Sequence, residues 1–391
     1  MKLILSLANE LFEYTQRLRR DFHCYPELGF QEHRTAGIVA RELSSLGVKY
    51  VTGIAETGVV GLLEGKGPGP VVMLRFDMDA LPIEEAASVE YASKNPGLMH
   101  ACGHDGHIAI GLTVARLLQN WREEWSGTVK LVFQPAEEGL GGAKRMIQAG
   151  VLESPKPDVL LGLHLWNEKP VGWYGITSGP VMPAGDIFRI RLSGKGGHGA
   201  LPHLAVDPIL ASAQIILGLQ SIISRNVSPL DSAVISVTSF HSGEAFNVIP
   251  SQVEMQGTIR SYTPAVRQRI LDRFEKIIHG TADSFGCESW IELTHLTPTL
   301  VNDPTTTERV LSVAQGLYPE AQIDQQWRTM VSEDMAEFLM QIPGCFFFVG
   351  SANLEKELDA PHHHPSFDFD EVVLFQASAL MAAAALAFLG G

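Results

Sequence analysis

At 391 residues the chain is longer than one hydrophobic core normally serves, so two domains are expected. A composition of 45% hydrophobic and 19% charged residues supplies large cores and excludes a disordered chain. The net charge of −15, from 44 acidic against 29 basic residues, argues against non-specific nucleic-acid binding and against docking on an anionic membrane.

The first stretch, "MKLILSLANELFEYTQRLRRDFH", places Leu7, Leu11, Phe12 and Leu18 at helical spacing, which reads as an amphipathic helix and not a signal peptide. Four apolar runs follow: "VVMLRF" (71–76), "TVKLVF" (128–133), "DVLLGL" (158–163) and "CFFFVG" (345–350). Each has the length and composition of a buried strand. Helical stripes lie between them, Ile108, Leu112, Ala115 and Leu118 in one, Ala143, Met146 and Ile147 in another. This alternation predicts an α/β domain with a mainly parallel central sheet, over 1–183 and 298–391. Between these pieces the pattern changes. "IFRIRLSG" (187–194) alternates like a half-exposed strand, and Asp207 with Pro208 marks a helix start. The order β-α-β-β-α-β predicts an inserted ferredoxin-like α+β domain at 184–297. "SEDMAEFL" (332–339) begins like a capping box with Ser332 as N-cap, and the alanine-rich tail after "FDFDE" reads as a buried terminal helix.

Cys24, Cys102, Cys287 and Cys345 form no disulfide framework, so a reducing cytoplasm is expected. Three of them read as small buried hydrophobes. Cys102 differs, because it stands in "HACGHDGH" (100–107). That string admits three readings: a helix start capped by Asp105, a reactive thiol, or metal ligation.

Polar residues follow the other strands too. Asp77 and Asp79 follow the first, Glu137 and Glu138 the second, His164 the third, and "HHHP" (362–365) the fourth. Carboxyl ends of parallel strands share one edge, where ligands bind. A converging Cys, His, Asp and Glu set fits two divalent ions, zinc, manganese, cobalt or nickel, with one shared ligand. Cys102 suits the shared position, because His104 two residues on faces the same side. His107, one turn further, is expected to pack or cap. In "PAEEG" (135–139) adjacent glutamates point apart, so one can bind metal and the other can act as general base. "GKGGHG" (194–199) fits a dinucleotide fingerprint, but "ALPHLAV" follows where a helix would be required.

The strings "RRDFHCYPELGFQEHRTA", "RFDMDALPI", "HACGHDGH", "FQPAEEGLGGA", "GLHLW", "GKGGHGALPH", "FNVIP", "GTIRSY" and "SEDMAEFL" resemble those of the co-catalytic metallo-amidohydrolases. That family includes hippurate hydrolases, N-acyl-amino-acid amidohydrolases, indole-acetyl-amino-acid hydrolases and related carboxypeptidases. The resemblance runs in order from about residue 9 to 388. It implies a metallopeptidase catalytic domain with an inserted lid through which subunits dimerise, two divalent metal ions per subunit, and an N-acyl amino acid or short peptide as substrate. It implies Cys102, His104, Glu138, His164 and His363 as metal ligands, with His362 as the alternative to the last. Glu137 matches the general base, and Asp79 the carboxylate that orients a ligand. Asp77 stands where sister branches carry a further histidine ligand. In the lid, His198 resembles a histidine that reaches the partner's active site, and Asn247 and Arg260 resemble binders of the substrate carboxylate. By residue type alone these three are a turn histidine, a turn asparagine and a surface arginine. A true carboxypeptidase or dipeptidase would use the same machinery. A non-catalytic metal-dependent binding protein would have no need of an intact Glu137.

Overall fold

The four apolar runs form the strands Val71–Asp77, Thr128–Gln134, Val159–Pro170 and Gly344–Ala352. They lie side by side and parallel, in the order Thr128–Gln134, Val71–Asp77, Val159–Pro170, Gly344–Ala352. Their near-continuous apolar character follows from cover on both faces. The computed structural model describes residues 2–390. In it the antiparallel pair Lys49–Ile54 and Gly58–Glu64 extends the sheet at one edge, and the short strands Trp173–Gly175 and Gln322–Asp324 extend it at the other, giving eight strands.

The chain divides into two units. The larger runs to Gly179 and takes in Val301–Arg328 and the stretch from Asp334; the smaller comprises Pro180–Leu300 and Thr329–Glu333.

In the larger unit the helices His104–Asn120 and Val373–Phe388 belong to one core with the sheet. Leu374, Ala377, Leu380, Met381 and Ala384 are fully buried, which accounts for the apolar tail. Each large buried side chain of this kind stabilises by about 1.5–3 kcal/mol. Gly111 lets the first helix lie close on the sheet, since a Cβ there would stand 2.6 Å from the Phe76 ring and 2.9 Å from that of Phe133. The expected N-terminal helix is two helices, Lys2–Glu10 and Phe12–Cys24. Lys130 breaks the apolar pattern of its strand. Its buried Nζ donates to the carbonyls of Val151, Glu153 and Pro155 at 2.8, 2.8 and 2.7 Å, and burial lowers its pKa to about 8.

The smaller unit orders its strands Ala233–His241, Gln252–Ser261, Ala184–Ser193, Glu288–Thr297, all antiparallel. With the helices Pro208–Asn226 and Pro264–Ser284 this is the ferredoxin-like arrangement. Asp207 caps the first helix by accepting from the amides of Ile209 and Leu210. That helix is long and apolar enough to cross a membrane, but it buries Ala211, Ile215, Leu219 and Ile222 in this unit's core.

Ser332 is not a helix cap, contrary to expectation. The helix there is only Ala336–Leu339, so its N-cap position falls at Met335, beyond Ser332, whose hydroxyl donates to the Pro183 carbonyl. "GKGGHG" leads into the two-residue strand Gly197–His198, and the next α-helix opens only at Pro208.

Candidate metal centre

In "HACGHDGH" the helix start falls at His104, behind Gly103 at φ 88°. Asp105 is not the cap. It lies in the first turn, and its carboxylate accepts from Arg19 Nε at 2.8 Å and pairs with His23 Nδ1 at 2.7 Å. The buried cation claims the group that a free helix end would otherwise use.

His104 Nδ1 donates to the Asp79 carbonyl at 2.8 Å, and His164 Nδ1 donates to the Leu165 carbonyl at 2.6 Å. These bonds fix both tautomers and leave each Nε2 as a lone-pair donor. His164 Nε2 lies 3.5 Å from Cys102 Sγ, and His104 Nε2 is buried without a hydrogen-bond partner among the described residues. On the other side Glu138 Oε1 and His363 Nε2 are 3.1 Å apart. Within each of two triads, Cys102 with His104 and His164, and Cys102 with Glu138 and His363, the donor atoms lie within 4.8 Å of one another. Cys102 is common to both. A buried imidazole nitrogen that makes no hydrogen bond among the described residues and faces thiol and carboxylate fits a soft-to-borderline divalent cation.

The electrostatics of His164 and Cys102 agree with that chemistry, whereas at His104 a bound cation would take the place of a proton that its neighbours favour. Burial, with His107 and His362 adding to it, holds His164 well below the ordinary histidine pKa, so its ring is neutral and free to ligate. Burial, with Glu138 adding, pushes the Cys102 thiol well up. A thiol so placed is not a free nucleophile, and a bound cation is what would deprotonate it. Burial opposes charge on His104, yet Asp77 and Cys102 raise its pKa well above the usual value.

His362 is not part of either triad. Its Nε2 donates to the Leu165 carbonyl at 3.0 Å, and burial lowers its pKa to about 4. His363, at φ 63°, turns its half-exposed ring to Glu138 instead. Asp77 and His107 are committed to each other. Asp77 accepts from His107 Nδ1 at 2.6 Å and from Arg75 Nη1 at 2.6 Å, while His107 Nε2 accepts the Leu165 N–H at 3.0 Å. Burial opposes ionisation of Asp77, but His104, His107 and Arg75 hold it well below the carboxylate range. His100 is buried with neither nitrogen hydrogen-bonded among the described residues, and burial lowers its pKa to about 3.

Asp79 has more to do than orient one histidine. Its two carboxylate oxygens accept the amides of Glu137 and Glu138, each at 3.0 Å. Its backbone carbonyl, rather than its carboxylate at 3.4 Å, makes the close bond to His104 Nδ1. Glu137 lies with His104 and Glu138 in a further donor group, and its Oε1 accepts the Asp334 amide at 3.4 Å. The partners of Asp77, His107 and Asp79 carry no sequence signal, because they are set by approach across the sheet edge.

The three lid candidates lie in the smaller unit. His198 and Asn247 are exposed and adjacent: the Gly199 amide donates to the Asn247 carbonyl at 2.8 Å, and His198 pairs with Val248 in a two-stranded ladder. His198 Nδ1 accepts the Ala200 amide at 3.1 Å, which orients its ring. Arg260 is half-buried on the main sheet of that unit, and burial lowers its pKa.

A parallel sheet with soft and hard donors gathered at its strand ends, beside the further carboxylate of Glu137, has the make-up of a metallohydrolase. The chain belongs to the peptidase family M20/M25/M40, whose model matches residues 73–387. It is 40% identical to thermostable carboxypeptidase 1 of Saccharolobus solfataricus over 381 residues, 96% of each chain. It is 39% identical to an N-acetylcysteine deacetylase of Bacillus subtilis, over 92% of this chain and 93% of that one. A solved dinuclear metal-binding peptidase of the M20 family from Bacillus subtilis superposes with a TM-score of 0.84, at 34% identity, over 97% of this chain and 98% of that one.

Proposed function

We propose that the chain hydrolyses the amide bond of N-acyl-L-amino acids of the hippurate or N-acetyl type, releasing a carboxylic acid and a free amino acid. The observation that carries this is the pair of donor triads sharing Cys102, with Glu137 grouped beside them. Cys102, His104 and His164 would hold one cation, and Cys102, Glu138 and His363 the other, as zinc, manganese, cobalt or nickel. When bound, such ions polarise the amide carbonyl and acidify the attacking water. Glu137 takes the proton of that water and delivers it to the leaving amine. Asp79, through its two amide contacts, keeps both glutamates in place. Arg260 and Asn247 would receive the carboxylate of the amino acid, so the substrate needs that group free.

Pairing of subunits through the smaller unit would bring His198 to the partner's oxyanion. The exposed Leu210 and Leu217, seven residues apart on one helix, support that pairing. The four cysteines are free thiols, which suits a reducing cytoplasm.

A carboxypeptidase acting on short peptides is the second reading, favoured by the carboxypeptidase relative. Rates on hippurate, N-acetyl amino acids and dipeptides, with each of the four metals in turn, separate the two. Glu137→Gln should retain metal and lose turnover. An active Glu137→Gln enzyme removes the general-base assignment, and no turnover of any substrate on the panel removes the reading as a whole.

A further inference from the structure

The segment "PELGFQE" (26–32) has no part in the reaction described above, yet it converges on the loop of Glu137 and Glu138. Glu32 is fully buried. Its Oε1 accepts the Ala136 amide at 2.9 Å, and its Oε2 accepts the Thr57 hydroxyl. Ala136 is also buried and is held at φ 57°, a left-handed conformation that a residue with a Cβ adopts only under constraint. Its carbonyl accepts the Gly142 amide at 3.0 Å. Three successive amides, those of residues 136, 137 and 138, are therefore each held by a buried carboxylate: the first by Glu32, the other two by Asp79.

Gly29 completes the cradle. A Cβ there would lie 2.9 Å from the Ala136 Cβ and 2.8 Å from Leu140 Cδ1, so only glycine lets the two segments approach this closely. Arg145, in the helix that follows the loop, stacks over the Phe30 ring at 4.1 Å. Glu32 has no cationic partner among the hydrogen bonds and ion pairs of the described residues, and burial raises its pKa to about 7. An uncompensated carboxylate is a destabilising group to bury for packing alone. Its two contacts give it a positional task.

We propose that Glu32 is a positioning residue of the reaction: by holding the Ala136 amide it fixes the left-handed turn that aims Glu137. The inference rests on the reading of Glu137 as general base. The task needs an acceptor at the Ala136 amide and not a charge. Glutamine can supply that acceptor, whereas methionine keeps the volume and loses it.

The test uses the full chain loaded with its most active metal, assayed well below the melting temperature of each variant. Glu32→Met should lower kcat by about tenfold or more, with KM and metal content near wild type, because misplacement of a base acts on the chemical step. Glu32→Gln should restore kcat to within about threefold. In the metal-free protein, hydrogen exchange across residues 135–139 should quicken in Glu32→Met and not in Glu32→Gln. Should Glu32→Met not fold, Gly29→Ala pushes on Ala136 from the other side and should lower kcat likewise. The inference falls if Glu32→Met, or Gly29→Ala in its place, keeps kcat within about twofold. It falls too if methionine and glutamine variants lose activity equally, or if lost metal accounts for lost rate. Glu137→Gln in the same series separates the failures. If that variant is dead while Glu32→Met is active, only this inference is overturned; if it keeps wild-type kcat, both readings are.

Discussion

Arg19 is completely buried and meets three carboxylates: Asp105 at 2.8 Å, Asp368 at 2.7 Å and Glu371 at 3.3 Å. Its guanidinium also stacks on the Phe369 ring at 4.3 Å. Asp105 adjoins His104, and Asp368 lies beyond His363 on the same loop, so one side chain ties together two parts of the candidate centre. Arg19→Met keeps most of the stem and removes the cation. Glu371 retains Arg20 at 2.6 Å, so the loss falls on Asp105 and Asp368. Removing one partner of a buried pair destabilises by about 3–5 kcal/mol. For a unit of this size that corresponds to a fall in melting temperature of roughly 6–20 °C. Burial opposes ionisation of Asp105, but Arg19 with His23 holds its pKa far below the usual range, so the stabilisation is present at neutral pH and lost only as pH falls through that depressed value. Without Arg19 the same carboxylate protonates more readily, and the deficit of the variant should shrink as pH falls from 7.5 to 5. Calorimetry of both proteins across that range is the assay. A melting temperature within about 2 °C of wild type at pH 7.5, or a deficit unchanged at pH 5, would refute the reasoning.

Cys102→Ser should lower occupancy of both metal positions, measured by elemental analysis after dialysis; two full sites would remove Cys102 from its shared place. Lys130→Met leaves three carbonyls without their donor, the buried one of Val151 and the half-buried ones of Glu153 and Pro155, and should destabilise by about 1–3 kcal/mol in urea unfolding, with a change under about 0.5 kcal/mol counting against the contacts. Burial raises Glu32 from 4.5 to about 7, so the folded state binds that proton more tightly than the unfolded chain. Its contribution is therefore full below about pH 4.5 and declines by up to about 3 kcal/mol as pH rises through 7. Glu32→Gln should flatten the stability profile over that window, and an unchanged slope would show that Glu32 titrates normally.

The fold was legible where one element buries itself wholly. The runs at 71–76 and 345–350 read as strands because both their faces are covered, and Asp207 with Pro208 marked a helix start by local chemistry alone. The gathering of polar residues was legible for a related reason, since parallel strands place their carboxyl ends on one edge. Partners were not legible. Asp105 looked like a cap because Arg19, 86 residues away, leaves no local mark. His362 and His363 are equivalent in sequence, and only the left-handed turn at His363 and the Leu165 carbonyl beside His362 distinguish them. Lys130 in an apolar strand and Glu32 in a loop look ordinary until the carbonyls and amides they serve are in view.

The strand order has a consequence for synthesis of the chain. Val159–Pro170 takes its second neighbour, Gly344–Ala352, only after the whole smaller unit has been made. A nascent chain can therefore complete the four strands between 184 and 297 while the larger sheet still has an open apolar edge. His363 and the buried helix Val373–Phe388 arrive later still. A product stalled before residue 344 would carry one finished unit and one exposed, aggregation-prone half-sheet. The last fifty residues thus decide together whether the larger core closes and whether its donor set exists, so a C-terminal truncation should be detected by chaperones and proteases before it is missed as an enzyme.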